Sequence, residues 1–253
     1  MVITVTLNPI VDYTAALPAL SLHQLNRIAQ VRRDPSGKGL NVSRMLAALG
    51  VPSKPFCLLG GDQGRYILDV LTREGLEPEV TWIRGETRLG LKIFETGTSR
   101  LTEVNEQGPE ITSEELARLL AAVKAACKRG DWLVLSGSLP RGVPETVYAD
   151  LTRFGREKGT RVVLDADREP FRLAAQERPY LVKPNAFEAA QFLGDTVQTE
   201  EEVQVAARRL REWAEVVFLT LGERGAALAA EDKYIRAFPP PVMPKSTVGC
   251  GDI

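Results

Sequence analysis

The stretch Trp132-Leu-Val-Leu-Ser-Gly-Ser138 sets the architecture. Its apolar run has strand character, it passes straight into a Ser-Gly-Ser turn, and Pro144 then opens a helix. The same grammar returns at Arg161-Val-Val-Leu-Asp165 and at Tyr180-Leu-Val-Lys183, which runs into Pro184-Asn185. Helical patterns over about 186–193 and 199–213 carry it on, with strand patterns over about 216–220, 225–230 and 234–238. A helix opened by Ser113-Glu-Glu and reaching Lys128 precedes the series. Strands alternating with helices predict an α/β fold with a doubly wound, mostly parallel sheet. Ligands in such sheets bind beyond the carboxyl ends of the strands, which is where the glycine-rich and polar segments of this chain fall.

Toward the N-terminus, Val2-Ile-Thr-Val-Thr-Leu7 alternates and is β-branched, a first strand that runs into Asn8-Pro9. After the break at Pro35-Ser-Gly-Lys-Gly39, Leu40, Val42, Met45, Leu46 and Leu49 share a helical face, stopped by Gly50 and Pro52. Phe56-Cys-Leu-Leu59, the Gly60-Gly61-Asp62 turn and a helix carrying Ile67, Leu68 and Leu71 form another unit of the same kind. Beyond Val80-Thr-Trp-Ile83 the pattern changes. Leu89, Leu91 and Ile93 alternate, Gly97 turns the chain, and Thr98–Val104 completes a hairpin. Together with residues 10–34, a segment at 87–107 predicts a small sheet standing off the main body, suited to serve as a lid.

With 32 basic and 33 acidic residues well mixed among 253, the net charge of −1 leaves no footprint for nucleic acid or for an anionic membrane surface. A small-molecule ligand is the better expectation. Cys57, Cys127 and Cys250 are far apart and odd in number, which argues against a disulfide framework or a structural zinc site and for a cytoplasmic protein. The chain enters a strand pattern at once, without a charged leader, and no apolar run is long enough to span a bilayer. His23 is the only histidine, so catalysis by a histidine triad or a multi-histidine metal site has little to be built from. Chemistry must rest on carboxylates, lysine, arginine and backbone N–H groups.

Four segments offer such groups. Gly249-Cys250-Gly251-Asp252 combines close-approach backbone with one carboxylate, a setting for phosphate, although a glycine-rich turn capped by aspartate explains the same residues. Gly37-Lys38-Gly39-Leu40-Asn41 opens a helix with a cation and an amide, as a helix start or as a grip on a sugar or phosphate, and it is not a Walker A loop. Thr220-Leu-Gly222-Glu-Arg-Gly225 joins two strands, as a tight hairpin loop or as a cradle for polyphosphate. Asn185 and Glu188 have the spacing of a helix capping box, and an amide and a carboxylate also suit the water shell of Mg²⁺. Arg88, at the foot of the lid, is suited to pair with a phosphate, and Asp12 to bond sugar hydroxyls or to make an Asx turn.

In this order the segments resemble the PfkB, or ribokinase-like, family of carbohydrate kinases, and the resemblance covers the chain from end to end. Thr6-Leu-Asn-Pro-Ile-Val-Asp12 looks like the family's opening substrate segment, and Ser36-Gly-Lys-Gly-Leu-Asn-Val-Ser43 like its glycine-rich signature. Ser136-Gly-Ser-Leu-Pro140, Lys183-Pro-Asn-Ala-Phe-Glu188, Thr220–Gly225 and the closing Gly249–Asp252 follow. The opening segment, Thr87-Arg88 and Thr102–Glu110 are most similar to the 1-phosphofructokinase and tagatose-6-phosphate kinase branch. Lys38 agrees, since a phosphorylated sugar needs a cation where a neutral one does not.

The resemblance implies a single ribokinase-like domain over residues 1–253 and ATP-dependent transfer, with Mg²⁺, to a ketohexose phosphate, most simply fructose 1-phosphate, with tagatose 6-phosphate as the close second. It makes Asp252 the base and the N–H groups of Gly249, Cys250, Gly251 and Asp252 an anion hole. Asp12, Gly37, Lys38, Asn41, Arg88 and Ser138 go to the sugar phosphate. Lys183, Asn185, Glu188, Thr220, Gly222 and Gly225 go to the nucleotide, with Asn185 and Glu188 organising Mg²⁺ through water. Independently of the resemblance, the alternating apolar faces of the lid hairpins would be covered if two subunits clasp their lids together, which predicts a homodimer. Ser36 and Cys250 depart from the family pattern, as does Asp165-Ala-Asp-Arg-Glu, and family members continue past the closing aspartate with a helix and an adenine wall. Weak ATP binding and slow or absent turnover are therefore expected of this chain, and a catalytically impaired sugar-phosphate binding protein is the alternative. A nicotinamide oxidoreductase is discounted, because no G-x-G-x-x-G follows the first strand.

Overall fold

The computed structural model describes residues 1–240. In chain order the elements are β1 (Val2–Thr6), β2 (Ile10–Leu17), β3 (Gln30–Ser36), α1 (Lys38–Ala48), β4 (Ser53–Leu59), α2 (Gly61–Arg73), β5 (Glu79–Trp82), β6 (Arg88–Glu95) and β7 (Arg100–Asn105). There follow α3 (Ser113–Ala126), β8 (Trp132–Ser136), α4 (Val147–Lys158), β9 (Arg161–Asp165), α5 (Arg168–Gln176) and β10 (Leu181–Val182). The last described are α6 (Ala186–Leu193), α7 (Glu200–Leu210), β11 (Val216–Thr220), β12 (Ala226–Ala230) and β13 (Lys233–Ala237). Nine strands form one sheet in the order β13-β12-β11-β10-β9-β8-β1-β4-β5, and four form a second in the order β3-β2-β6-β7. The large sheet is parallel from β11 to β5 and antiparallel only at the β12 and β13 edge.

Alternation along each strand sends neighbouring residues to opposite faces, and helices cover both. In β4, Phe56 and Leu58 belong to the larger core cluster with Leu119, Leu135 and Tyr148, while Cys57 and Leu59 join Leu40, Ile67 and Leu71 in the other. Helix starts follow the sequence signals, with capping boxes at Thr112/Glu115, Asn185/Glu188 and Thr199/Glu202. Among the described residues no helix is long and apolar enough to cross a membrane.

Three local features differ from the sequence reading. Residues 144–146 form a turn, in which Val147 donates its N–H to the Pro144 carbonyl, and α4 starts only at Val147. The second helix of the C-terminal pair ends at Leu210 rather than 213, because the chain tightens into i+3 bonds from Arg211 to Trp213. Helix α5 has no counterpart in the sequence reading. Its buried Phe171, Ala174 and Ala175 have helical spacing, but so short an apolar stripe is overwhelmed by the charges around it.

The small sheet forms as expected from two segments, although the loop between β2 and β3 leaves Leu22 and Leu25 exposed. Helix α1 lies hard against β1, and glycine allows it. A Cβ on Gly39 would sit 2.5 Å from Thr6 Oγ1 and 2.9 Å from the Val5 carbonyl oxygen. One turn on, the buried Ser43 hydroxyl shares a 2.8 Å hydrogen bond with Thr4. Gly39→Ala is therefore expected to cost about 1–3 kcal/mol of stability by overpacking. For a chain of this size that lowers the melting temperature by ~2–4 °C per kcal/mol, measured by calorimetry beside the parent.

Candidate active site

Strand order reverses at β1: the chain runs outward from β1 through β4 to β5, then returns to place β8 on the other side of β1. The crevice at such a switch point lies beyond the carboxyl ends of the strands. Here it is bordered by Asn8 after β1 and Ser138 after β8, and the Asn8 amide donates to Ser138 Oγ and to the Gln107 carbonyl, both at 3.3 Å. Arg88, the first residue of β6, donates to the Asn8 carbonyl from Nη2 at 2.9 Å and from Nε at 3.2 Å, and to the Glu106 carbonyl at 3.3 Å. Burial pushes its guanidinium below its ordinary value, against the opposing charge of Asp12. Asn8 Oδ1 is buried without a hydrogen-bond partner among the described residues, as is Ser136 Oγ. Orphaned acceptors of this kind call for a ligand hydroxyl or a water.

Lys38 begins α1 directly after Gly37, whose φ of 137° places it in the range that favours glycine. Its Cβ lies 3.9 Å from where a Cβ on Gly137 would stand, so the lysine is beside the loop that carries Ser138. Its ammonium donates to Asp165 Oδ1 at 2.9 Å, while Asp165 Oδ2 takes Lys183 Nζ at 3.0 Å. Half-buried Asn41 follows one turn along α1, its N–H bonded to the Gly37 carbonyl. Asp12, in β2 of the lid, forms a buried ion pair with Lys92 at 3.0 Å and acts on Arg88 through its charge.

The residues expected on the nucleotide assemble at the ends of β10 and β11. Thr220 donates its N–H to the Pro184 carbonyl at 3.0 Å, which sets Thr220 beside Asn185. Asn185 Oδ1 accepts from the Glu188 N–H at 2.9 Å and Glu188 Oε2 from the Asn185 N–H at 2.8 Å, so the capping box is real. Gly222 and Gly225 flank a single 3-10 turn with φ of 61° and 88°. For Gly225 packing alone demands glycine, since a Cβ would lie 2.1 Å from the Ala237 carbonyl oxygen.

Burial pushes the Glu188 carboxyl above the ordinary carboxylate range, aided by Asp165 and opposed by the Asn185 N–H and by Lys38 and Lys183. Among the described residues no three His, Cys, Asp or Glu side chains stand together as metal ligands. The Asn185 amide and the Glu188 carboxylate still suit Mg²⁺ held through water, since that ion keeps several waters and takes much of its shell from substrate phosphates. Gly249, Cys250, Gly251 and Asp252 lie outside the described residues.

Three residues of the site are beyond the sequence reading. Asp165 enters that reading only as part of a departure from a pattern, and its strand-end position beside two lysine-bearing segments is the available signal. Asn8 has no role there beyond its place inside Thr6–Asp12. Lys92, lodged in the Leu89, Leu91, Ile93 alternation, marks the inward lid face, and a lysine at that register is the sign of it.

Comparisons with known proteins agree over the whole length. Residues 5–253 match the model for the pfkB family carbohydrate kinases. The chain is 34% identical over 253 residues to the 1-phosphofructokinase of Bacillus subtilis (strain 168), covering all of this chain and 82% of that relative. Among solved structures, phosphofructokinase-2 from Escherichia coli in complex with substrates and products superposes with a TM-score of 0.95 at 27% identity, covering 99% of this chain and 82% of the other. The same enzyme in complex with fructose-6-phosphate does so with a TM-score of 0.93 at 26% identity, covering 99% of this chain and 83% of the other.

The raised Glu188 value carries a stability consequence with a definite sign. The folded chain holds a proton there after the unfolded chain has lost it, so stability declines as pH rises from the ordinary glutamate value of about 4.3 through the raised folded one, and is level above it. Glu188→Gln keeps the capping partner and removes the titration. Urea unfolding at steps between about pH 4 and pH 7 is expected to show the parent losing stability relative to Glu188→Gln as pH increases.

Proposed function

Because the chain belongs to the pfkB family of carbohydrate kinases and is a sugar-phosphate kinase, we propose that it transfers the γ-phosphoryl group of ATP to fructose 1-phosphate, giving fructose 1,6-bisphosphate and ADP. The observation that carries the choice is the 34% identity to 1-phosphofructokinase across every residue of this chain, against 27% to phosphofructokinase-2. Lys38 and Arg88 on either side of Asn8 and Ser138 support a phosphorylated acceptor over a neutral sugar.

Phosphoryl transfer asks for alignment and charge neutralisation more than covalent chemistry. Arg88 presents a planar fork of N–H donors and Lys38 a compact positive charge on a flexible stem, and both forms of cation suit phosphate oxygens. Asn8, Asn41, Ser138 and Asp12 are the hydroxyl partners, with Lys92 holding Asp12 in place through their ion pair. Lys183, Thr220 and the N–H groups around Gly222 hold the nucleotide phosphates, with Asn185 and Glu188 on the waters of Mg²⁺, which neutralises phosphate charge when bound. The free primary hydroxyl of the sugar then forms a bond to the γ-phosphorus as the bond to the bridging oxygen breaks. Asp252 accepts the hydroxyl proton, and the amides of Gly249, Cys250 and Gly251 stabilise the transferring oxygens. Buried Cys57 and Cys127, both outside any disulfide and with thiols pushed up to about 12 and about 11 by burial, suit a reducing, cytoplasmic setting.

The lid has two unlike faces. Asp12, Gly90 and Lys92 are buried on one, whereas Leu89, Leu91 and Ile93 on the other are half-exposed beside Val31 and Val104, which are 44% and 58% exposed. A second copy of this chain covering that apolar face accounts for it, which makes the protein a homodimer.

A panel of fructose 1-phosphate, fructose 6-phosphate and tagatose 6-phosphate with ADP release as readout is expected to give the highest kcat/KM for the first, and a faster second or third sugar would reassign the substrate. Binding of fructose 1-phosphate without turnover would favour a binding protein. Arg88→Met is expected to raise the KM for the sugar phosphate about 10–100-fold, the worth of a charge-assisted hydrogen bond, with a smaller change in kcat. Asp252→Asn is expected to lower kcat by about 10²–10⁴ with little change in sugar-phosphate affinity. Light scattering should find a dimer in the parent and a monomer when Leu91 and Ile93 are both replaced by glutamate.

A further inference from the structure

Asp165 stands where the two ends of the crevice meet. Its side chain is 4% exposed, and its two carboxylate oxygens serve lysines from separate segments. Lys38 comes from the start of α1, beside the loop of Ser138, and Lys183 comes from the end of β10, two residues before Asn185 and its neighbour Thr220. Glu188 senses all three, since Asp165 raises its carboxyl while Lys38 and Lys183 lower it. One buried anion is thus the counterion of a cation at each end.

A carboxylate so placed cannot treat the lysines independently. Away from water, charges polarise one another strongly, and the hold of Asp165 on one ammonium depends on how far the other neutralises it. Take away the charge of Lys183, and the full negative charge of Asp165 faces Lys38 alone. A phosphate arriving at Lys38 then meets a cation already satisfied. Accepting the sugar-phosphate role of Lys38 given above, we propose that Asp165 is a positioning residue that couples the sugar-phosphate end of the crevice to the nucleotide end, by acting as shared counterion to Lys38 and Lys183.

The test is a binding cycle on the full chain. The Kd of fructose 1-phosphate is measured by titration calorimetry for the parent, Lys183→Met, Asp165→Asn and the double variant. Lys183→Met is expected to weaken binding about fivefold or more, although Lys183 serves the other end. In the Asp165→Asn background the same change is expected to alter Kd by less than about twofold, because the connection has gone. A Lys183→Met effect that persists undiminished in the Asp165→Asn background overturns the proposal, for it would be a direct field effect. So does no effect in the parent, or an Asp165→Asn variant that loses thermal stability and leaves the ratio intact. Should Asp165→Asn not fold, Asp165→Glu keeps the charge while displacing it, and an unchanged ratio there counts against the proposal. Parent turnover on the sugar panel tests the kinase reading separately. If turnover is absent, the cycle run with inorganic phosphate still reads the coupling, and failure of both probes to bind overturns it.

Discussion

The reversal of strand order at β1 is the constraint on which the site depends. Parallel strands fed by crossover helices all end on the same edge of the sheet, and only where the winding changes direction do neighbouring strand ends part to leave a crevice. In this chain the reversal falls between β1 and β8, so Asn8 and Ser138, 130 residues apart in sequence, come within hydrogen-bond distance. Lys38 is delivered to the same place because Gly37 and Gly39 let α1 begin in contact with β1. Further along the same edge, β9 ends in Asp165, β10 is followed directly by Lys183, and β11 ends in Thr220. The order of residues across the crevice is therefore the order of strands in the sheet.

Charge at that edge is arranged for position more than for stability. Taking a carboxylate and an ammonium out of water costs about as much as their attraction returns, so buried pairs seldom add net stability. Two such arrangements occur where ligands are expected: Lys38 and Lys183 on Asp165, and Lys92 on Asp12. Pairs such as Arg65 with Asp62 and Arg172 with Glu169 lie on helix surfaces within one turn, where screening leaves each worth little. A cation held against a buried carboxylate is fixed in place, and recognition of a phosphate requires positive charge at a defined point.

Legibility in the sequence follows the range of the interaction. Alternation in β1 and β4, the capping boxes at Asn185 and Thr199 and the glycine that ends α6 are local, and each is readable from a few neighbouring residues. The lid, too, announces itself through the change of period after Ile83. What escapes are relations that exist only once the sheet is wound: Asp165 between two lysines drawn from positions 38 and 183, and Asn8 beneath Arg88. Helix α5 escapes for the opposite reason. Its signal is local but lies in only nine residues, and Arg168, Glu169 and Arg172 dominate them.

The lid and the site are one mechanical unit, because the chain crosses between sheets at the residues that line the crevice. It leaves β1 for the lid through Asn8 and returns through Gly37 and Lys38. It leaves β5 through Gly85 and Thr87 to Arg88, and returns past Gly108. The third crossing is held tightly: Thr87 Oγ1 accepts the Gly60 N–H at 2.9 Å, and a Cβ on Gly60 would lie 1.8 Å from the Gly85 carbonyl oxygen. At the fourth, a Cβ on Gly108 would meet Asn8 Oδ1 at 2.5 Å. Packing of this closeness leaves no slack between lid strands and strand ends, since interiors transmit small displacements instead of absorbing them. Whatever shifts the lid must move Arg88 against Asn8, and whatever binds at Asn8 must be felt at the root of β6. An enzyme that has to tell one phosphosugar from another gains from that stiffness, because hydroxyl geometry is then read against fixed partners.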